Sequence, residues 1–134
     1  MKKNFLLLCD HAFVGDRGKL NLIGIYDEML FPVFPAVVLK TVFVANYTVD
    51  ETTEQNLVLS IELFNENKKK IEINIPPNTM SINSGKGVKK INVIIEIGNL
   101  RFDAPGMYTY ILKCNNRNIG EFSLEVKKND KITN

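Results

Sequence analysis

The sequence predicts an all-β protein: an antiparallel two-sheet sandwich of the immunoglobulin-like kind, with about seven to nine strands and little or no helix. Three observations predict it. Apolar residues recur at period two in most segments and at helical period in almost none. Turn-forming clusters of Gly, Pro, Asn and Asp break these runs about every 10–15 residues. The chain has 134 residues, 45% of them hydrophobic, enough to bury roughly two-thirds of its unfolded surface without disulfide or metal staples. A closed barrel is the alternative architecture for the same pattern.

Residues 4–14 and 20–28 read as strands flanking Gly15-Asp16-Arg17-Gly18-Lys19, a turn by composition. Phe5 and Leu7 on one side and Leu6 and Leu8 on the other make both faces of the first strand apolar. That suits a strand covered on both sides, or one passing from sheet to sheet. Pro32 and Pro35 lack ladder donors, so Phe31 to Pro35 is a connection. Residues 37–49, rich in Val, Thr, Phe and Tyr, form a long strand. In 57–64 the residues Leu57, Leu59, Ile61 and Leu63 share a face, Ile71 to Ile75 repeat the alternation, and the polar 65–70 joins them as a hairpin. Residues 76–88 are the longest irregular stretch. In 89–102 the apolar parity is odd through Ile91, Val93, Ile95 and Ile97, then even at Leu100 and Phe102. A switch beside Gly98 predicts a β-bulge or a strand end. A second hairpin joins 107–114 to 119–127, with Tyr108, Tyr110, Leu112 and Cys114 inward against Phe122, Leu124 and Val126. No repeat or linker divides the chain, so residues 1–128 read as a single domain and 129–134 as a loose tail.

Composition narrows the function classes. Seventeen basic and 15 acidic residues leave a net charge of +2, which disfavours a strongly polyanionic partner. One His, two Cys and no Trp leave few side chains for nucleophilic, metal or redox chemistry. Met1 to Cys9 imitates a lipoprotein signal, with two lysines before an apolar run that ends in Cys. That run is five residues, Phe5 to Cys9, against roughly 7–15 for an export signal. Asp10 and His11 interrupt it, and Leu8 stands where processing needs a small side chain. A buried first strand is the better reading. No apolar run nears the ~20 residues of a membrane span, so a cytoplasmic protein without a membrane partner is expected. Cys9 and Cys114 are then reduced thiols in the simplest case, although their placement leaves a disulfide open.

Four features of the sequence bear on chemistry. In Asp103-Ala104-Pro105-Gly106-Met107-Tyr108, a Pro-Gly turn delivers the chain into a strand whose first inward residue is Tyr. Immunoglobulin-like sandwiches place a Tyr at such a corner, its hydroxyl bonded to upstream backbone; here the flanking Cys is Tyr110 and the buried Trp is missing. Cys9 and His11 share one face of a strand and could start a zinc site with Cys114 and water, but a structural site needs a fourth ligand and no other His or Cys exists. Buried strand residues are the plainer reading, while Asp10 on the opposite face must be exposed or satisfied by donors. Ser84-Gly85-Lys86-Gly87 lacks the order of a phosphate-binding loop and no helix follows it. Lys68-Lys69-Lys70 with Lys86, Lys89 and Lys90 could form a nucleic-acid stripe, yet Glu54, Glu62, Glu66 and Glu72 surround the first cluster and no aromatic platform is interleaved.

Asp10, then Gly18-Lys19-Leu20-Asn21-Leu22-Ile23-Gly24-Ile25-Tyr26-Asp27, then Phe34-Pro35, then Pro105-Gly106-Met107-Tyr108, follow one order. The layout resembles a family of small bacterial and phage-encoded proteins of unknown function, over about residues 5–127. The resemblance implies a compact β-fold and a bacterial, cytoplasmic setting. It carries no catalytic residues. Asp10, Gly18, Lys19, Gly24, Pro35, Gly106 and Tyr108 are accordingly expected to be structural.

The sequence thus points to a non-catalytic interaction or assembly module that uses no cofactor and binds a protein partner or itself. Lys40, Val42, Val44, Asn46 and Thr48, which mix polar and apolar side chains on one strand, are the candidate interaction face. The alternatives are a small ligand- or metal-binding protein using Cys9, Asp10 and His11, and a single-stranded nucleic-acid binder acting through the lysine-rich loops.

Overall fold

Period-two patterning resolves into ten strands in a computed structural model, which describes residues 1–76, 78–82 and 87–129. They are β1 (Lys2–Val14), β2 (Leu20–Ile25), β3 (Glu28–Phe31), β4 (Ala36–Val49), β5 (Asn56–Phe64), β6 (Lys70–Ile71), β7 (Asn78–Ser81), β8 (Lys89–Phe102), β9 (Gly106–Cys114) and β10 (Arg117–Lys128). One 3-10 turn spans Asp16–Gly18, and no α-helix occurs among the described residues. Two sheets form, one in the order β2-β1-β4-β8 and the other β3-β10-β9-β5-β6, with β7 beside β6 on the same edge of β5. All pairings are antiparallel except β3 with β10, which is parallel.

The count exceeds the seven to nine strands expected, for two physical reasons. The segment read as one strand, 20–28, divides at Tyr26 and Asp27. Its first part stays with β1, and its second crosses to the other sheet as β3. The stretch read as irregular, 76–88, contains β7, which pairs Leu57 with Met80 and Leu59 with Asn78. Conversely, of the expected 71–75 strand only Ile71 pairs with β5, joined by Lys70 from the expected turn. Ile73 and Ile75 leave the ladder but still pack on the core.

Inward residues of both sheets meet in one apolar layer that includes Leu8, Phe43, Tyr47, Leu59, Phe102 and Tyr110. Fully burying one such side chain stabilises the fold by about 1.5–3 kcal/mol. Tyr47 spans the layer: its hydroxyl on β4 donates to the Ile119 carbonyl on β10 at 2.8 Å. Gly120 makes room for it, since a Cβ there would lie 2.6 Å from the Tyr47 oxygen. The β9–β10 hairpin closes on Asn115 and Asn116, both at positive φ (50° and 66°), as a two-residue hairpin turn requires. The Asn115 carbonyl oxygen of the side chain accepts the Val58 N–H at 2.9 Å and so ties that turn to β5.

The parity switch near Gly98 is real, but its form differs from a bulge. Register between β4 and β8 continues unbroken, Lys40 with Gly98 and Val38 with Leu100, so neither strand carries an extra residue. Both strands instead turn over together. Thr41 and Ile97 face inward before the switch and Val38 and Leu100 after it, with Asn99 at φ 50°.

A second apolar cluster lies on the outer side of the β2-β1-β4-β8 sheet. Cys9, Val42 and Val44 are buried there against Phe5, Leu7, Ile94, Ala12, Leu20 and Leu22. Cys9 and Ala12 are an odd number of positions apart, yet they share this cluster. The β1–β2 hairpin therefore changes face between them, and its tip contributes to the cover over the outer sheet surface.

Candidate functional site

The turnover of the β1–β2 hairpin centres on Asp10. Cys9 pairs with Ile25 and His11 with Ile23, which sets Asp10 across from Gly24. Gly24 has φ 71°, and a Cβ on it would fall 2.2 Å from the Asp10 carboxylate. The carboxylate accepts the Tyr26 hydroxyl in a short hydrogen bond, and the Tyr26 N–H donates to the Leu8 carbonyl at 2.9 Å. Burial, then the Asp10 hydrogen bond and charge, push the Tyr26 phenol up to about 12. It therefore holds its proton and donates. The side-chain Nζ of Lys40 lies 3.3 Å from His11 Nδ1, and the His11 ring packs on Phe13.

Cys9 and His11 do not form a nucleophilic pair. The Cys9 thiol donates to the His11 backbone carbonyl at 3.4 Å and not to its ring. Burial pushes that thiol up, against a smaller lowering effect from the same bond, whereas a nucleophile needs the thiolate. Cys114 belongs to the central layer and Cys9 to the outer cluster, and both are free thiols. Among the described residues, no three His, Cys, Asp or Glu side chains come together as a metal site.

The other residues singled out by sequence fall as follows. The Tyr108 hydroxyl donates to the Ala104 carbonyl at 2.5 Å while its ring meets Phe102 edge-on. Gly106 sits at φ 153° beside the Glu66 side chain. Gly18 has φ 72° in open space, and the Lys19 N–H closes the 3-10 turn on Asp16 at 3.3 Å. Pro35 follows a cis bond from Phe34. In the candidate interaction face, Val42 and Val44 are buried as members of the outer cluster. Asn46 and Thr48 are half-buried and both accept from the Asn4 amide, which leaves Lys40 as the exposed member. The lysine clusters separate. Lys70 and Lys113 both pair with Glu62, at 3.0 and 2.7 Å. They border a shallow cleft on β5 of about 850 Å³ with Ser60 and Asn116. Lys86 and the Ser84-Gly85-Lys86 segment lie outside the described residues.

What sequence reasoning missed is an edge. Three of the four sheet margins are short or shared: β2 has six residues, β3 four, and β5 is flanked by both β6 and β7. The fourth is β8, fourteen residues long, and among the described residues no strand pairs with its outer side. The run Ile91 to Ile97 holds no Pro or Gly and one charge, Glu96. A long apolar edge of this kind is normally blunted by proline, bulges or inward charges. The signal was present as the apolar parity of 89–102, but which flank stayed open depended on strand order.

Fold and site together define a two-sheet all-β protein in which, among the described residues, β8 forms one long sheet margin with no partner strand. Residues 4–127 match the profile described as Family of unknown function (DUF6941), and the chain belongs to that family. No curated protein matches it. A solved structure of Pseudomonas fluorescens alkylpurine DNA glycosylase AlkC, bound to DNA containing an abasic site analog, is similar over 91% of this chain at 11% identity and a TM-score of 0.45. The match spans 30% of that chain. At that distance the likeness says nothing about function. No helix among the described residues is long and apolar enough to cross a membrane.

Proposed function

We propose that this protein is a non-catalytic interaction or assembly module that works by adding a partner strand to the free edge of β8. The observation that carries the reading is the edge itself: a fourteen-residue strand that ends its sheet, with no partner strand on its outer side among the described residues and an apolar centre free of proline. Strand addition draws affinity from main-chain hydrogen bonds and specificity from alternate side chains. The absence of an activated nucleophile at Cys9 supports a binding role over catalysis.

We also infer the finer fold: an immunoglobulin-like sandwich without its disulfide. The Tyr108 corner supports it, as does the division of consecutive strands between sheets, with β4 and β8 facing β5, β9 and β10. Two free thiols in separate clusters suit the reducing cytoplasm of a bacterial or phage system.

The test is site-specific photo-crosslinking in host cells. A photoreactive residue replaces Glu96, on the exposed face of β8, or Glu121, on the outer face of β10. Discrete adducts at position 96 and none at position 121 are expected. Adducts at neither position, or equally at both, overturn the reading.

A further inference from the structure

We infer, resting on the reading of β8 as a pairing edge, that the strand it takes is β8 of a second copy of this chain, antiparallel, with Val93 opposite Val93. Two identical antiparallel strands related by a twofold axis perpendicular to the sheet place that axis on one residue pair. Residues of like parity then face each other, and each keeps its side of the sheet. Among such registers, only one sets a basic residue of β8 against an acidic one. Glu96 is the strand's sole acidic residue. Lys89 and Arg101 are an odd number of positions from it, so neither can oppose it. Lys90 is an even number away and meets Glu96 in the register centred on Val93. Symmetry makes that contact twice per dimer.

The remaining pairs agree with this register. On the inner face Ile91 meets Ile95 and Val93 meets Val93, β-branched against β-branched, which is a favourable cross-strand combination. On the outer face Asn92 meets Ile94, flanked on each side by a Lys90–Glu96 pair. No like charges stand opposite each other. Lys90 and Glu96 are both exposed in the single chain, so neither must abandon a buried position to pair. The four-stranded sheet then continues across the axis into its copy, and the long edge disappears from both molecules.

The test is sedimentation equilibrium of the purified full chain over a range of concentrations, with circular dichroism to show that each variant is folded. A dimer is expected. Lys90→Glu and Glu96→Lys each turn two attractive contacts into two repulsive ones, so each weakens dimerisation about tenfold. The double variant Lys90→Glu/Glu96→Lys restores the opposition and the wild-type dissociation constant. Glu121→Lys, on the other sheet, leaves it unchanged. A dimer indifferent to both single changes overturns the proposal, as does a double variant no better than the singles. A monomer at every concentration also overturns it. If position 96 still cross-links a different protein, the edge reading survives with another occupant. If it cross-links nothing, both readings fall.

Discussion

Gly24 stands across the β1–β2 ladder from Asp10 with the Asp10 carboxylate in the space where a Cβ would be, 2.2 Å away. This gives a structural reason for the acid and the glycine that the sequence places at positions 10 and 24. The glycine supplies the left-handed backbone at φ 71° and the opening through which Asp10 reaches Tyr26. Gly18 separates the two requirements, because it has nearly the same φ, 72°, with nothing within 4 Å of its Cβ position. Gly18→Ala should cost about 1 kcal/mol, the backbone cost alone. Gly24→Ala should cost about 2–3 kcal/mol, adding a displaced carboxylate and its hydrogen bond. Urea midpoints of the two variants decide it. Equal losses would show that the Asp10–Tyr26 contact adds no stability.

Tyr108 and Tyr110 share one face of β9 but should respond oppositely to losing a hydroxyl. The Tyr108 oxygen is bonded to Ala104. The Tyr110 oxygen is buried without a hydrogen-bond partner among the described residues, its ring stacked on Phe122 at 5.0 Å. Tyr108→Phe should lower stability by about 1 kcal/mol, the net worth of one hydrogen bond. Tyr110→Phe should raise it by about 1 kcal/mol, since an unsatisfied buried group is removed and the ring stack kept. Thermal unfolding of both variants checks the pair. A loss at Tyr110 would mean that its hydroxyl is bonded.

These residues show how far the sequence could be read. Alternation located β1, β4, β5, β8, β9 and β10 within a few residues, because inward and outward positions on a ladder obey local rules. It failed where a property depended on neighbours far along the chain. Val42 and Val44 alternate with inward residues of β4, so they read as an open face. They are buried because a hairpin tip more than twenty positions earlier contributes to their cover. Residues 20–28 read as one strand because nothing local marks the crossing to the other sheet at Tyr26. The β8 sequence was legible, but its open flank was not, since strand order is set by all ten strands together.

Glu62 gives the fold an acid-sensitive contact. Hydrogen bonds from Lys113 and then Lys70 hold its carboxyl below the ordinary value of 4.5. A lowered folded-state value means that the unfolded chain takes up the proton first. The contribution is therefore complete above the ordinary Glu range and disappears as pH falls through the folded value. Glu62→Gln removes this dependence. The stability of wild type and variant, compared in urea, should differ at pH 7 and converge on acidification below about pH 4. A constant difference across that window would exclude the linkage.

At the alkaline end, all four tyrosines of the chain favour the protonated form in the fold. Tyr26 and Tyr47 are pushed up to about 12 from 10.0, each chiefly by burial. Burial also raises Tyr108 and Tyr110. A raised folded-state value makes the unfolded chain lose its proton first. Stability from these groups is thus complete below pH 10 and is lost as pH climbs from 10 toward 12. Tyrosinate absorbance near 295 nm should then stay flat through the range where free tyrosine ionises, about pH 10. It should rise in one step that coincides with the loss of β-sheet circular dichroism. A stepwise rise in a protein that remains folded would identify an exposed phenol and contradict the packing of Tyr26, the one tyrosine of the four that is only partly buried. Gly24→Ala, by loosening the Asp10 contact, should move the step to lower pH and let the two measurements be compared on one residue.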